Sequence, residues 1–407
     1  MQAPPRASGH TQDRHVPKVL LTTCGGYWYP RNAQVFERRG ALAGLLLAAR
    51  KKRVTPGLPA EKVLCCWPVH LGMMPFYFWA PQIWTERVFY ASFPVWKAWL
   101  MTQRVPWFNV VQAILGYGSE VFDRAEKIGA LKVADAPNSH PDISYGDWQR
   151  ECDLWCPGEK VPVPQWLFAR QRRELARADV VLCLSDFVRD TMVAHGVPAE
   201  KCFINPFGVD TGVFKRGGGA AATPRFICVG TICLRKGHQY LFRAFEQLRK
   251  EVPGAELICV GDYKSDFRME RPKWEGQFRH YPHLTHAELA KLLPTCTAFV
   301  LASIEEGFAR VLSEAMAAGL PIVATYETGA TTLVSDGVEG LIVPARDPAA
   351  LAKAMARLAK DGDLCRRMGA AAYERGAVRN TWQDYGDRLL AEYSARLERR
   401  EPTLVQR

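Results

Sequence analysis

The chain predicts an α/β fold of two Rossmann-like domains in tandem, and three observations carry that expectation. Short apolar, β-branched runs alternate with helical patterns along the chain, the order that builds parallel sheets. A strand, a glycine-containing turn and a helix open such a series twice, from Lys18 and again from Phe226. Between the two series, Arg216-Gly217-Gly218-Gly219 through Thr223 is a flexible connector by composition. With 407 residues, each half has enough chain for its own core.

Composition narrows the class. Hydrophobic residues make up 48% and charged residues 23%, as in ordinary globular proteins, so disorder is not expected beyond the polar, Pro-containing residues 1–16. The formal net charge of +11 points to acidic partners such as phosphorylated ligands or anionic lipid. Residues 1–60 hold ten Lys or Arg against two acids, Asp13 and Glu37. Nucleic acid is not expected, because no motif beyond charge supports it. The 12 cysteines do not read as a disulfide scaffold: Cys183, Cys228 and Cys259 lie inside apolar runs, where Cys packs as a small hydrophobe. Cys152 and Cys156 lack a second ligand pair at zinc-finger spacing, so no metal is expected. A reducing cytosol follows, with neither a secretory signal nor a membrane-spanning run of 18 apolar residues.

In chain order, Lys18 to Thr23 is the first strand and Gly25-Gly26-Tyr27 its turn. Val35 to Arg50 reads as an amphipathic helix with Val35, Leu42, Leu45 and Leu46 inward. It closes on Arg50-Lys51-Lys52-Arg53, which either complements the helix end or touches a membrane. Glu61 to Pro68 is the next strand. Trp67 to Leu115 carries five further Trp, interrupted by Pro75, Pro81, Pro94 and Pro106, so no single long helix fits. Most of its aromatics are expected in the core and a few on the surface. Lys132 to Ala134 is a strand, and His140 follows it in a Pro/Asn/Ser turn, at the strand end where open α/β sheets bind ligands. A charged helix from Ala169, a strand after Asp179 and Ser185 as the next helix cap complete the first half.

The second half opens with the strand Phe226 to Gly230, a turn through Arg235-Lys236-Gly237, and the helix Tyr240 to Lys250. Two cations at a helix start oppose its dipole unless an anion sits between them. Leu257 to Gly261 is a strand, Phe278 to Thr285 a loop, Ala287 to Leu293 a helix and Ala298 to Leu301 a strand. Ser303 to Pro344 then supplies two adjacent acids, a short helix ended by Gly319-Leu320-Pro321, the strand from Ile322 and a second strand. Glu306 precedes that helix and Glu314 lies inside it. Helical side chains lean toward the N-terminus, so both carboxylates and the free amides of Gly307, Phe308 and Ala309 can share one end. Such an end suits an anion held by amides beside hydroxyls held by acids, as in a sugar phosphate. Ser303-x-x-Glu306 also matches a capping box, in which the two merely satisfy each other's backbone. Ala-rich helices fill 347–378, and the last helix, Thr381 to Arg400, carries Trp382, Tyr385, Leu389 and Tyr393 on one side.

The string EEGFARVLSEAMAAGLPIVA resembles the donor-binding signature of the family 4 glycosyltransferases, E-G-F-(G/A)-x-x-x-x-E-A-M-A-x-G-x-P-(V/I)-(V/I)-A, with Ala309 the one mild departure. Gly230 to Gly237 resembles the family's G-x-x-x-x-x-K-G, with Thr231 where many members have Arg and Arg235 as the substitute. The stretch from Asp135 to His140 resembles D-x-x-S-S-H, Arg150-Glu151 more loosely an E-E-Y element, and Phe203 to Phe214 the segment ending in G-V-D. The resemblance covers about residues 18 to 395 and is strongest from 170 onward.

What it implies is a GT-B fold, two Rossmann-like domains with parallel sheets facing across a cleft. The expected division is an N-terminal acceptor domain at 17–210, a linker at 211–223 and a donor domain at 224–380, with helix 381–400 packing back on the first. The implied activity is sugar transfer, with retention, from a nucleotide-diphosphate sugar to a glycan or lipid-linked acceptor, without cofactor or obligatory metal. Lys236 and Arg235 would bind the diphosphate, Glu306 the transferred sugar and Glu314 the ribose. His140 would face them from the other wall, and Gly25 and Gly26 would let backbone approach the reacting centre. A location in the cytoplasm, with peripheral contact to anionic membrane, completes the expectation. A nucleotide-sugar epimerase, a sugar synthase or phosphorylase, and a non-catalytic scaffold are the competing classes.

Overall fold

The computed structural model describes residues 16–23, 28–47, 57–66, 91–161, 163–217, 223–378 and 380–400. Seven parallel strands form the first sheet: β1 (Val19–Thr23), β2 (Leu42–Leu47), β3 (Val63–Cys65), β4 (Val110–Ile114), β5 (Leu131–Ala136), β6 (Val180–Cys183) and β7 (Cys202–Ile204). Their order is β3-β2-β1-β4-β5-β6-β7. Six strands form the second: β8 (Arg225–Val229), β9 (Glu256–Val260), β10 (Arg279–Tyr281), β11 (Ala298–Leu301), β12 (Ile322–Thr325) and β13 (Gly340–Val343), in the order β10-β9-β8-β11-β12-β13. The two orders follow one doubly wound plan. Each sheet reverses direction once, between β1 and β4 and between β8 and β11, and the crevice beyond the strand ends at such a reversal is where ligands bind. Strands β1, β2, β4 and β6 are buried at every position, as their unbroken apolar runs require when helices cover both faces.

Around the first sheet lie α1 (Tyr29–Arg38), α2 (Phe93–Thr102), α3 (Ser119–Ile128), α4 (Pro141–Trp155), α5 (Gln165–Arg177) and α6 (Asp186–Ala194). Ser185 caps α6, its Oγ accepting from the Val188 amide at 3.2 Å. The second sheet carries α7 (His238–Glu251), α8 (His286–Leu292), α9 (Arg310–Ala317), α10 (Pro348–Lys360) and α11 (Gly362–Tyr373). The last helix, α12 (Trp382–Arg399), returns to the first domain. There Tyr393 Oη donates to Gln112 at 2.9 Å, and Arg39 Nε donates to Asp387 at 2.9 Å. Asn205 Nδ2 also reaches the Tyr385 carbonyl at 3.0 Å.

Two expectations are corrected. The helix expected over Val35 to Arg50 is two elements, the end of α1 and the strand β2. Gly40 sits at φ 66°, a left-handed turn that ends the helix, and Leu42, Leu45 and Leu46 then lie in a strand buried throughout. An apolar residue at nearly every position satisfies helical spacing trivially. The loop expected from Phe278 holds the edge strand β10, which pairs with β9 through Arg279, His280 and Tyr281. Within Trp67 to Leu115, residues 67–90 lie outside the described residues, as do Gly25 and Gly26, the Arg50 to Arg53 cluster and part of the connector, 218–222. Of the remainder, Trp96 is fully buried while Trp107 is 60% exposed.

Candidate active site

At the reversal point of the second sheet, the loops after β8 and β11 meet. Gly237 takes a left-handed φ of 69°, and a Cβ there would fall 1.9 Å from the Ala302 carbonyl oxygen. Only glycine lets the β8 loop lie so close to the end of β11. Beside it, Lys236 Nζ donates to Glu306 at 2.7 Å, while Arg235 Nη1 donates to the Glu305 carboxylate at 3.1 Å and lies 3.8 Å from Glu306. Two cations and two carboxylates therefore balance within one cluster. Burial pushes the Glu306 carboxyl up, but Lys236 and Arg235 outweigh it and hold its pKa below the usual range.

The capping-box alternative for Glu306 does not hold. Helix α9 starts at Arg310 with Ala309 at its cap and no side-chain cap bond. The Glu306 carboxylate turns instead to Lys236. Glu314, inside α9, lies 3.8 Å from His286 Nε2, and burial raises its pKa despite His286, Arg310 and Arg31 nearby. Phe308 and Ala309 are buried, Phe308 edge-on to Phe207 at 6.3 Å.

The opposite wall is the loop after β5. The Ser139 amide and Oγ donate to the fully buried Glu305 at 3.0 and 2.8 Å, and Ser185 Oγ donates to the Gly307 carbonyl at 2.5 Å. A Cβ on Gly307 would lie 1.6 Å from the Pro137 carbonyl oxygen. The two domains thus touch backbone to backbone at the glycine that precedes α9.

His140 heads α4 from this wall. Its Nδ1 accepts weakly from the Asp142 amide at 3.3 Å, and its ring stacks on His195 with centroids 4.4 Å apart. Burial and the neighbouring His195 push its pKa down to about 4, so at neutral pH the ring is uncharged.

Sequence reasoning paired Glu306 with the anion site and left out its neighbour Glu305, which joins Arg235 to Ser139. The two adjacent acids were the available signal. It also left Glu151 as a loose match. That side chain is fully buried against the second domain, where Arg346 Nε, Gln239 Nε2 and Tyr240 Oη donate to it at 2.8, 3.0 and 3.0 Å. Trp148 Nε1 on the same helix donates to Asp266 at 3.0 Å.

Two doubly wound parallel sheets, with loops of both domains meeting at an acid–base cluster on the second, define a GT-B architecture. The family model of the glycosyl transferases group 1 matches residues 214–375. The chain is 28% identical over 272 residues to a D-inositol 3-phosphate glycosyltransferase of Stackebrandtia nassauensis, covering 61% of each protein. It is 28% identical over 245 residues to a GDP-mannose-dependent alpha-(1-6)-phosphatidylinositol monomannoside mannosyltransferase of Mycolicibacterium smegmatis, covering 55% of this chain and 64% of that one. The chain thus matches only about three fifths of these relatives' length. Among solved structures, sucrose-phosphate synthase from Thermosynechococcus elongatus superposes with a TM-score of 0.69 at 18% identity, over 93% of this chain and 98% of that one. Anabaena HepE in complex with UDP and glucose gives 0.64 at 16%, over 93% and 100%. At such identity these two show the fold alone.

Proposed function

We propose that the protein moves a sugar, with retention of anomeric configuration, from a nucleotide-diphosphate sugar to an acceptor hydroxyl, in the synthesis of a cell-surface polysaccharide or glycolipid. The observation that carries this reading is the Arg235–Lys236–Glu305–Glu306 cluster at the reversal point of the second sheet. A diphosphate entering there would take Lys236 and Arg235 from the carboxylates, leaving Glu306 to accept from sugar hydroxyls and Glu314 from ribose. Charge builds on the departing diphosphate as the glycosidic bond breaks, and prearranged cations in a water-poor site stabilise it most where it forms. The amides of Gly307 to Ala309 would add to that stabilisation, and the diphosphate itself would take the acceptor proton, so no protein nucleophile is needed. The donor is a substrate, and no cofactor or metal is required by this scheme.

The relatives named as acting on inositol phosphate or phosphatidylinositol mannoside support an acceptor of that kind, a polyol or lipid-linked glycan. Among the described residues no helix is long and apolar enough to cross a membrane. A cytoplasmic protein held peripherally on anionic lipid by its basic N-terminal residues fits both facts.

A thermal-shift screen against nucleotide sugars tests the reading. The correct donor at about 100 times its Kd stabilises the fold by about 2.7 kcal/mol, and Lys236→Ala loses that shift. If no nucleotide sugar stabilises the protein, or if Lys236→Ala is stabilised as well as wild type, the site is misassigned. Product analysis with the binder then separates transfer from epimerisation or phosphorolysis.

A further inference from the structure

Behind the wall that carries Ser139, three side chains with metal-ligating atoms converge where α4 begins and α6 ends. His140, Asp142 and His195 each offer one such atom, all within 4.8 Å of one another. The frame that holds them runs through the Thr191 hydroxyl. The His140 amide donates to Thr191 Oγ1 at 3.0 Å, and Thr191 Oγ1 donates to the Val188 carbonyl at 2.8 Å, so the cap residue of one helix is tied to the last turns of the other.

The orientation of each ligand is set as well. His195 Nδ1 lies 2.9 Å from the Thr191 carbonyl, which fixes the proton on Nδ1 and leaves Nε2 as the open lone pair. A carbonyl on the far ring nitrogen is the usual support of a ligating histidine. Asp142 gives Oδ1 to Arg172 Nε at 2.9 Å, which leaves Oδ2 3.6 Å from His140 Nδ1, where a metal would replace the weak 3.3 Å bond that Nδ1 accepts from the Asp142 amide. Two ligands bound at about 2.1 Å in a tetrahedron stand about 3.4 Å apart, so that pair is already near bridging distance. The remaining adjustment falls on His195. Its ring stacks on His140 with 15° between the planes, and because it is exposed it has room to shift toward the other two while keeping its bond to the Thr191 carbonyl.

We propose that His140, Asp142 and His195 bind a first-row divalent metal of the zinc class, with the fourth position left to water. Two imidazoles and one carboxylate suit zinc, and magnesium or calcium would demand more oxygen. The metal staples the start of α4 to the end of α6. On the reading under which His140 faces the donor, it also pins that ring at the helix junction, so zinc inhibits transfer. The sugar-transfer chemistry needs no metal, and this site would regulate it.

The experiment uses the full chain, stripped with EDTA and titrated with Zn²⁺ against a chromogenic chelator, then with Co²⁺ under absorption spectroscopy. One equivalent should bind with visible Co²⁺ bands and no near-ultraviolet thiolate charge transfer, which separates this site from the 12 cysteines. His195→Ala and Asp142→Asn should each weaken binding by about tenfold or more, and turnover of His195→Ala should resist zinc that inhibits wild type. Absence of stoichiometric binding overturns the proposal, as does binding that carries a thiolate signature or is unchanged in both variants. The binding measurements decide the site even if the protein transfers no sugar. If binding holds and zinc leaves turnover unaffected, the regulatory role is overturned while the site stands.

Discussion

Replacing Gly307 with alanine should separate the two walls of the cleft without unfolding either domain. The new Cβ would lie 1.6 Å from the Pro137 carbonyl oxygen, 2.4 Å from its carbon and 2.9 Å from the Asn138 amide nitrogen. An ordinary carbon–oxygen contact is about 3.3 Å, so the facing backbone must retreat by about 1.7 Å. No flexible side chain can absorb that, because both partners are main chain. The retreat breaks the Ser185–Gly307 hydrogen bond and the two bonds from Ser139 to Glu305. At about 1 kcal/mol for the neutral bond and about 1.5 kcal/mol for each bond to the carboxylate, the closed arrangement loses about 4 kcal/mol. Misplacing a reacting group by about 1 Å can cost about 100-fold in rate, and that is the expected fall in kcat. The melting temperature should stay near that of wild type, since neither sheet is touched. Steady-state turnover with the donor found by the binding screen gives the first number. Small-angle scattering should show a larger radius of gyration. A variant that turns over at the wild-type rate would refute the claim that these walls must meet for chemistry.

Two further outcomes follow from buried and exposed charge. Asp135 is fully buried, and burial raises its carboxyl from 3.8 to about 6, against the hydrogen bonds that Gln112 Nε2 and Trp28 Nε1 donate to it. A raised carboxyl favours the folded state while protonated. Its contribution is therefore complete below about pH 4 and lost as pH rises through about 6, a difference of about 3 kcal/mol. Asp135→Asn should flatten the denaturation midpoint between those pH values, and an unchanged slope would sink the assignment. For the membrane, co-sedimentation with vesicles should rise with anionic lipid and fall with added salt, driven by the basic residues 1–60 and aided by exposed Trp107 and Met101. Binding indifferent to both counts against peripheral docking.

Much of the second domain was legible because its strands are short, apolar and separated by glycine. Ala298 to Leu301 is the strand β11 to the residue. The first domain was harder. Leu42 to Leu47 is apolar at almost every position, and without a polar residue to mark the period a strand reads as readily as a helix. The site divided along the same line. Glu306 could be placed near an anion site from its neighbours, but its choice of Lys236 over its own helix depends on a partner 70 residues away. Glu305 and Ser139 lie 166 residues apart, and no local pattern announces such a pair. His140 carried a strand-end signal, yet its stacking on His195 depends on how two helices meet.

The burial of Glu151 has a consequence for anyone who would graft this protein onto a relative. The residue belongs by sequence to the first domain, but every partner noted for it outside α4 belongs to the second: Arg346, Gln239 and Tyr240. Arg346 meets it from a left-handed backbone at φ 62° and also holds Asp147 at 2.8 Å. A chimera cut at the glycine connector would therefore inherit half of a charge pair, and an unpaired buried carboxylate is among the costliest defects a fold can carry. The transplantable unit is the second domain together with α4, with α12 left on the first domain it packs against. Its seam lies at two helices of the architecture rather than at the loop that joins the halves.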